Sequence, residues 1–368
     1  MATACSWPKK TVSGGQALSR KDFWNSNLSD HIERSKAYFR PAVNTYVDRP
    51  LLDFKGQLNV FYGNHRSGWI HAVNALEKYH SGSGIYVDTF IERGFVWGPD
   101  ANQPCERPWI GIIHVPPNGP EWFTPWLSNK AIFELDTWQK SLPYCRGLFT
   151  LSNYHKKHLD GMFDFPIVNL THPSENSAPK WRLDKFERNS EKAIVQIGSF
   201  MRQLHAIFQL PQSNYKKVFL KSTNLNCLKD LMKQEREILE SKGEFHSSYY
   251  DTADTMPFLA NEEYDELLSK NIVFLKLYDA SANNTVLECI MRDTPLLVNP
   301  LPAIREYLGD DYPFYYHSFE EAVEKANDFD LIEKTHNYLR TSSIKAKLSV
   351  DYFRESFMNS EIIENAAS

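Results

Sequence analysis

Cysteine is scarce in this sequence, and long hydrophobic runs are missing. Its 368 residues include only five cysteines, an odd number with no closely spaced pair. Because zinc knuckles and redox motifs need close pairs, the sequence predicts neither, and scattered free thiols indicate a reducing compartment. No apolar run approaches the ~20 residues that span a bilayer, and the start of the sequence lacks the apolar segment of a signal peptide. We therefore expect a cytoplasmic protein without a transmembrane segment, while a peripheral membrane contact stays open.

An excess of positive charge is missing as well. The 41 lysines and arginines are outnumbered by 46 acidic residues, which gives a formal net charge of −5. A nucleic acid needs a broad positive field on its protein, so we expect no nucleic-acid partner. Hydrophobic residues make up 42% of the chain and aromatic residues 14%, which is enough for packed cores and excludes global disorder. At roughly 100–200 residues per domain, the length predicts two domains.

Short β-prone runs alternate with segments of helical spacing along most of the chain. The first unit is a predicted strand at 58–62, a turn at 63–68, a helix from Trp69 and a strand from Ile85. Regular alternation of this kind predicts an α/β protein with parallel sheets and helices on both faces. The expected parts are an N-terminal extension at 1–55 packed on the first domain, a Rossmann-like domain at 56–175, a charged linker at 176–191, a second Rossmann-like domain at 192–325, and C-terminal helices at 326–368 for which a return to the first domain stays open.

The most informative segment is a loop of small polar residues that follows a predicted strand. Asn283, Asn284 and Thr285 stand where the next helix begins, and Glu288 lies about one turn into that helix. The start of a helix offers free backbone N–H groups and a partial positive charge, which suit a diphosphate. Glu288 is then placed to reach a pair of ribose hydroxyls. The alternative is that the three polar residues only cap the helix and that Glu288 lies on its solvated face.

These residues resemble the C-terminal half of GT-B-fold glycosyltransferases, in particular the retaining class related to glycogen and lipopolysaccharide synthases, also called glycosyltransferase group 1. The matching runs are Thr285-Val286-Leu287-Glu288-Cys289-Ile290, Asp293-Thr294-Pro295-Leu296-Leu297-Val298 and Ala303-Ile304-Arg305-Glu306-Tyr307-Leu308-Gly309. The likeness extends over about 58–325 and is specific over about 256–310. It implies a GT-B fold, in which two Rossmann-like domains with mostly parallel sheets face each other across a cleft. The first domain would then hold the acceptor and the second the nucleotide sugar.

The resemblance also implies which residues carry the chemistry. The donor leaves as a diphosphate, so groups that meet the charge on its oxygens lower the barrier most. The donor candidates are Ser199, Arg202, Lys221, Asn283, Asn284, Thr285 and Glu288. The catalytic candidates are His114, Asp88 and Asp279, with Glu92 as a further carboxylate. The candidates for an acceptor or cleft loop are Gly63, His65, Arg66, Ser67 and Gly68. For each group a structural role, such as a tight turn, a surface cation or a buried histidine, is the alternative.

One departure concerns the stereochemical outcome. Ala280 stands where the family has the first of two glutamates, and Asp279 is one position away. A retaining mechanism is expected from the resemblance, and in that case the leaving phosphate can accept the acceptor's proton. Inversion would instead need a protein base, with His114 or Asp88 as the candidates.

The expected activity is transfer of a sugar from a UDP- or GDP-sugar to a glycan or another hydroxyl acceptor, in polysaccharide or glycoconjugate synthesis. The nucleotide sugar is a substrate, and neither a prosthetic group nor a metal is expected. Two alternatives stay open: a sugar-nucleotide epimerase of the same fold, and a protein that binds nucleotide sugars without catalysis. Glucosylation of DNA bases is disfavoured by the negative net charge. The sequence leaves the oligomeric state open.

Overall fold

The computed structural model describes residues 51–58, 60, 68–176, 179–221, 225–245 and 253–367. The predicted strand at 58–62 therefore lies largely outside the described residues, and so does most of the extension at 1–55. Of the proposed acceptor loop, Gly63, His65, Arg66 and Ser67 lie outside them too, and only Gly68 is described.

The helices and strands follow one another in regular alternation. The strands are β1 (Leu52–Asp53), β2 (Ile85–Asp88), β3 (Trp109–Ile112), β4 (Cys145–Thr150), β5 (Ile167–Asn169), β6 (Ala193–Ile197), β7 (Lys216–Leu220), β8 (Asp254–Met256), β9 (Ile272–Leu275) and β10 (Leu296–Val298). The helices are α1 (Trp69–Leu76), α2 (Asn129–Phe133), α3 (Asp136–Ser141), α4 (Asn153–Leu159), α5 (Leu183–Arg188), α6 (Ala206–Gln209), α7 (Leu225–Ser241), α8 (Asn261–Leu268), α9 (Asn284–Arg292), α10 (Pro302–Leu308), α11 (Phe319–Asn327), α12 (Phe329–Thr341), α13 (Ile344–Lys347), α14 (Val350–Met358) and α15 (Glu361–Ala367). No helix in the described ranges is long and apolar enough to cross a membrane.

The described chain forms two compact units. Unit B contains Asn118–Phe123 and Ser174–Leu348, and unit A contains the rest, including the C-terminal segment from Ser349. The last two helices, α14 and α15, therefore belong to unit A. Residues 118–123 belong to unit B although the chain on either side of them belongs to unit A.

Unit A is built on a parallel sheet whose five described strands lie in the order β1-β2-β3-β4-β5. Its core is rich in aromatic side chains, because Trp109, Trp138 and Phe149 are all fully buried. Helix α14 covers part of this core, where the rings of Phe357 and Phe149 stack with centroids 5.0 Å apart. Helix α15 packs against β4 at Gly147, where an added Cβ would come within 2.6 Å of the Ile362 side chain.

Unit B is built on a second parallel sheet, with the described strands in the order β10-β9-β6-β7-β8. The first strand in sequence, β6, lies in the middle of the sheet. The next two strands, β7 and β8, lie on one side of it, and β9 and β10 lie on the other. The strand order therefore reverses between β6 and β9. In open α/β sheets, ligands bind at such a reversal, outside the carboxyl ends of the strands. In unit B this position is taken by the loops that follow Ile197 and Leu275.

The predicted α/β class with parallel sheets is confirmed. The stretch at 176–191 shows no helical periodicity in the sequence, yet it contains helix α5 with Phe186 fully buried. Tertiary contacts account for this helix, because Trp181 just before it is buried and donates from its indole nitrogen to the Asn271 carbonyl over 3.1 Å. Packing against the unit B sheet, rather than local pattern, holds the segment in place.

Candidate functional site

The loop after β6 is shaped by a glycine. Gly198 has φ of +78°, a conformation that favours glycine, and an added Cβ there would lie 2.8 Å from the guanidinium carbon of Arg202. The glycine therefore leaves room for the arginine to fold back over the end of its own strand. Backbone hydrogen bonds then tie this loop to the one after β9, from Gln203 N to the Lys276 carbonyl (2.8 Å) and from Tyr278 N to the Met201 carbonyl (2.9 Å).

Arg202 is the buried cation of this loop. Its exposed fraction is 9%, and it donates to Asn283 Oδ1 over 3.2 Å, to Thr285 Oγ1 over 3.1 Å and to the Phe200 carbonyl over 2.7 Å. Its Nε is buried and has no hydrogen-bond partner among the described residues. Burial lowers the pKa of Arg202 to about 10, so the guanidinium keeps its charge at neutral pH. A permanent charge with an unused donor is the feature that an anion would complete.

Helix α9 begins at the same point. Asn283 caps it, with its side-chain oxygen accepting from the backbone of Val286 (3.3 Å), and no acidic residue stands in the first turn. The first amides of a helix have no partner within the helix, and its dipole adds positive potential there. Arg202 and the start of α9 therefore make one positively polarised corner at the reversal point of the sheet. The structure brings together Arg202, Asn283 and Thr285 of the predicted donor residues, with Asn284 beside them in the chain.

Glu288 is buried rather than solvated. Its exposed fraction is 1%, and it accepts a 2.6 Å hydrogen bond from the hydroxyl of Tyr264 on α8. The alternative that placed Glu288 on a solvated helix face is therefore wrong. Its negative charge also acts on Arg202, whose pKa it raises against the effect of burial. One acidic side chain thus lies within electrostatic range of the positive corner, held by a neighbouring helix.

Sequence reasoning missed two residues near Glu288. Tyr264 holds the carboxylate through its hydroxyl, while Arg292, one helical turn after Glu288, pairs with Asp265 over 2.6 Å and interacts with Glu288 through its charge. Burial lowers the pKa of Arg292, but Glu288 and Asp265 raise it more strongly, so the guanidinium stays charged. The sequence did hold a signal for these contacts. Tyr264 and Asp265 are neighbours on one predicted helix, and their partners Glu288 and Arg292 are four positions apart on another, so they lie on the same face of that helix.

The remaining unit B candidates lie around this corner with other partners. Asp279 is buried, and its two oxygens accept from the backbone amides of Ala280 (2.9 Å) and Asn118 (2.7 Å). Ser199 lies in the loop between Gly198 and Arg202. Lys221 follows β7, and its backbone amide bonds to the Met256 carbonyl over 2.9 Å. Neither Ser199 nor Lys221 has a described side-chain contact with Arg202 or with α9.

In unit A, His114 is held as a neutral ring. Its Nε2 donates to the Thr89 carbonyl over 3.0 Å, and the ring packs between Trp69 and Phe90 with centroids 4.1 and 4.2 Å away. Burial lowers the pKa of His114 to about 3. A ring nitrogen committed to a carbonyl, with so low a basicity, is poorly suited to take a proton at neutral pH.

Two buried carboxyl groups of unit A have the opposite property. Burial raises the pKa of Asp88 to about 6 and that of Glu92 to about 7. Glu92 Oε1 accepts from the backbone amides of His114 (2.8 Å) and Val115 (2.6 Å), and its Oε2 has no hydrogen-bond partner among the described residues. Glu92 thus holds the turn that follows β3, while Asp88 is the carboxyl group at the end of β2.

Asp88 lines a cavity of ≈ 550 Å³ in unit A. The cavity lies between β2, the residues that follow β1 and the segment before β3, and its polar lining includes Lys55, Tyr86, Arg93 and Arg107. Gly94 forms part of the wall, and an added Cβ there would come within 1.8 Å of Asp88 Oδ2. The carboxyl group therefore reaches the wall only because residue 94 has no side chain. A carboxyl group, cations and amide groups around one cavity match the hydrogen-bonding needs of a polyhydroxylated molecule.

In the part of the chain that the structure describes, no three His, Cys, Asp or Glu side chains are grouped so that they could hold a metal ion.

Comparisons by sequence find no matching family model and no matching curated protein. Comparisons by structure find similar chains. Sucrose-phosphate synthase from Thermosynechococcus elongatus superimposes with a TM-score of 0.55 at 10% identity, over 77% of this chain and 74% of that one. An α,α-trehalose 6-phosphate synthase from Burkholderia multivorans has a TM-score of 0.52 at 10% identity, over 80% and 74%. A trehalose-6-phosphate protein from E. coli bound with UDP-2-fluoro glucose has a TM-score of 0.52 at 11% identity, over 100% and 91%. At these identities the likeness establishes the fold, and the chain therefore has the GT-B fold of these glycosyltransferases.

Proposed function

We propose that the protein is a glycosyltransferase that takes its sugar from a nucleoside diphosphate sugar bound by unit B. One observation carries the proposal: at the reversal point of the unit B sheet, the buried guanidinium of Arg202 meets the start of helix α9 with an unused Nε donor. A cation with an unused donor and a helix N-terminus at this place are what a diphosphate requires. The GT-B fold of the structural neighbours supports the same reading.

The phosphate groups carry the chemistry in this proposal. When the bond between the sugar and the diphosphate breaks, negative charge builds up on the leaving oxygens. Arg202 and the first amides of α9 would meet that charge as donors that the fold holds in place before the reaction. Ser199 and Lys221, which lie at the ends of β6 and β7, would add donors from the two sides.

Glu288 is assigned to the ribose. A carboxylate accepts hydrogen bonds from two neighbouring hydroxyls, and Glu288 lies one helical turn from the diphosphate position. Tyr264 engages Oε2 of Glu288 through its hydroxyl (2.6 Å), which fixes the orientation of the group. The uracil of a UDP-sugar is the base we favour, because one structural neighbour is bound with UDP-2-fluoro glucose.

Unit A is assigned to the acceptor, a glycan or another molecule with a free hydroxyl. The cavity beside Asp88 would bind it, together with the loop that contains Gly63, His65, Arg66, Ser67 and Gly68. We favour retention of configuration, in which the leaving diphosphate accepts the proton of the acceptor hydroxyl and Asp279 faces the positive charge on the transferred sugar. If configuration is inverted, Asp88 is a better base than His114, because its pKa of about 6 lies near the working pH.

The test is a donor panel. The folded protein is incubated with UDP-, GDP- and dTDP-sugars, and both binding and nucleotide release are measured with and without a set of glycan acceptors. We expect one nucleotide sugar to bind and its nucleotide to be released only when an acceptor is present. Binding of none of the donors by folded protein would overturn the proposal. Turnover of the donor without an acceptor would identify an epimerase, and binding without any turnover would identify a protein that has lost transfer, which is the alternative that Ala280 favours.

A further inference from the structure

Arg202 and the start of helix α9 form the positively polarised corner described above, which is called the anion corner from here on. Helix α7 buries a carboxylate against the two loops that form this anion corner. The side chain is that of Glu235, which is 0% exposed. Its Oε1 accepts from Leu204 N (2.9 Å) and from the hydroxyl of Tyr278 (2.6 Å). Its Oε2 accepts from His205 N and from His205 Nδ1, both over 2.7 Å. Both oxygens are therefore fully engaged, and the donors come from two separate loops.

Packing alone does not require a carboxylate at this position. Apart from Glu235 and Gln234, the buried face of α7 is formed by apolar side chains such as Leu228, Leu231 and Leu239. Taking a carboxylate out of water costs several kcal/mol unless it is paired and hydrogen-bonded. A leucine in place of Glu235 would avoid that cost but would leave the donors of Leu204, His205 and Tyr278 without an acceptor. The presence of a carboxylate at this position is therefore explained by the donors that it binds.

What it holds is the framework of the proposed donor site. Leu204 and His205 follow directly on the loop that carries Arg202, and Tyr278 immediately precedes Asp279 on the loop that leads to helix α9. The two loops also meet through the backbone hydrogen bonds of Gln203 N and Tyr278 N and through the contact of Arg202 with Asn283. Glu235 joins them from behind through side-chain contacts. No atom of Glu235 reaches the anion corner in the contacts described.

We propose that Glu235 is a positioning residue for the anion corner: by accepting hydrogen bonds from both loops it sets the place of Arg202 relative to the start of α9. This inference rests on the proposed function, since it concerns the site that would bind the diphosphate. The chemistry needs an acceptor at all four contacts. His205 directs two donors at Oε2, and burial together with the negative charge of Glu235 raises the pKa of Tyr278, which keeps that phenol as a donor.

The variant Glu235→Gln tests this arrangement because it preserves shape and removes acceptors. One end of the glutamine side chain is an NH₂ group, which cannot accept from His205 N and His205 Nδ1. Glu237→Gln is the matched control, because Glu237 lies on the same helix and is exposed. Tyr278→Phe is a milder second variant, which loses only the hydroxyl bond to Glu235 and keeps the ring that contacts Trp122 (centroids 5.6 Å apart).

Two measurements decide the matter. In calorimetric titrations we expect Glu235→Gln to weaken binding of UDP and of inorganic pyrophosphate by the same factor, roughly 10- to 100-fold, because a loosened corner affects the phosphates alone. Tyr278→Phe should show a smaller loss and Glu237→Gln none. In hydrogen exchange, the amides of 200–205 and 277–283 should exchange faster in Glu235→Gln, while the amides of β6, β7 and β9 keep their protection.

The outcomes separate the two proposals. If the wild type binds UDP and Glu235→Gln binds it equally well, the positioning role is wrong while the proposed function stands. If the wild type binds no nucleotide, the proposed function fails, and hydrogen exchange still decides: unchanged exchange at 200–205 and 277–283 refutes the positioning role. Faster exchange across the whole of unit B, in Tyr278→Phe as well as Glu235→Gln, would show a merely structural role and refute it too.

Discussion

Replacing Arg202 by methionine should abolish most of the affinity for a nucleoside diphosphate and leave the protein folded. In the free protein the guanidinium already donates to Asn283, Thr285 and the Phe200 carbonyl, so a bound phosphate would gain the unused Nε and a share of one terminal nitrogen. A hydrogen bond between charged groups contributes about 1.5–3 kcal/mol. One such bond and part of a second amount to about 2–4 kcal/mol, which corresponds to roughly 30- to 1,000-fold in the dissociation constant.

The same substitution should change the free energy of unfolding by less than about 2 kcal/mol, because two effects oppose each other. Loss of the guanidinium leaves Thr285 Oγ1 and the Phe200 carbonyl without this donor, while Asn283 Oδ1 still accepts from Val286 N. Removal of a charge that burial disfavours acts in the other direction. A short apolar chain of similar reach then fills the space beside Gly198.

The assay is isothermal titration of UDP and GDP into the wild type and three variants, with thermal unfolding as a check. Arg305→Met is the control, because this arginine of unit B is 38% exposed and pairs with Asp310 away from the corner. Arg202→Lys should give an intermediate affinity, since an ammonium keeps the charge but has only three donors and lacks the planar fork that serves Asn283, Thr285, the Phe200 carbonyl and a phosphate together. Affinity of Arg202→Met within about threefold of the wild type would refute the reasoning.

Three further outcomes follow from the site. Glu288→Gln should weaken UDP by about 10-fold and leave inorganic pyrophosphate unaffected in the same titrations, because the carboxylate is assigned to the ribose; an equal loss for both would contradict that assignment. Asp88→Asn should raise the acceptor KM several-fold without changing donor affinity, as steady-state kinetics would show, since Asp88 and Arg202 belong to different units. Burial raises the pKa of Glu92 to about 7, so this side chain stays protonated in the folded state at pH values where the unfolded chain has already ionised. The free energy of unfolding should therefore fall by on the order of 3 kcal/mol as the pH rises from about 4.5 to about 7. In urea unfolding, Glu92→Gln should lose this dependence on pH.

The anion corner could be predicted from the sequence because its signals are local. A strand, a run of small polar residues and a helix that begins at Asn284 lie within a few positions of one another, and the cap at Asn283 is where the pattern placed it. Arg202 could be named from the loop after β6. Its contacts with Asn283 and Thr285, across about eighty residues of chain, follow only from the neighbouring positions of β6 and β9 in the sheet.

The side on which Glu288 lies could not be predicted, since helical spacing alone allowed both a solvated and a buried position. The outcome depends on α8, whose Tyr264 contacts Glu288 only after two helices from separate βα segments pack together. Strand β1 was missed because two residues are too few to show a period. Helix α5 was missed because Trp181 just before it and Phe186 within it acquire their partners, Asn271 and Tyr215, from distant parts of the unit B chain.

The C-terminal helices give the molecule an unusual order of assembly. Phe357 of α14 and Ile362 of α15 cover Phe149 and Gly147 of the unit A sheet, so that sheet draws its cover from helices that are synthesised after all of unit B. Nearly all of unit B, by contrast, is one uninterrupted stretch that precedes these helices. Domains tend to fold as units during synthesis. Unit B can therefore fold first although most of it is translated after unit A begins, and the apolar face of β4 stays uncovered until α14 and α15 have been synthesised. Nascent chains arrested shortly after Leu348 should accordingly present a finished unit B beside a unit A that chaperones still recognise.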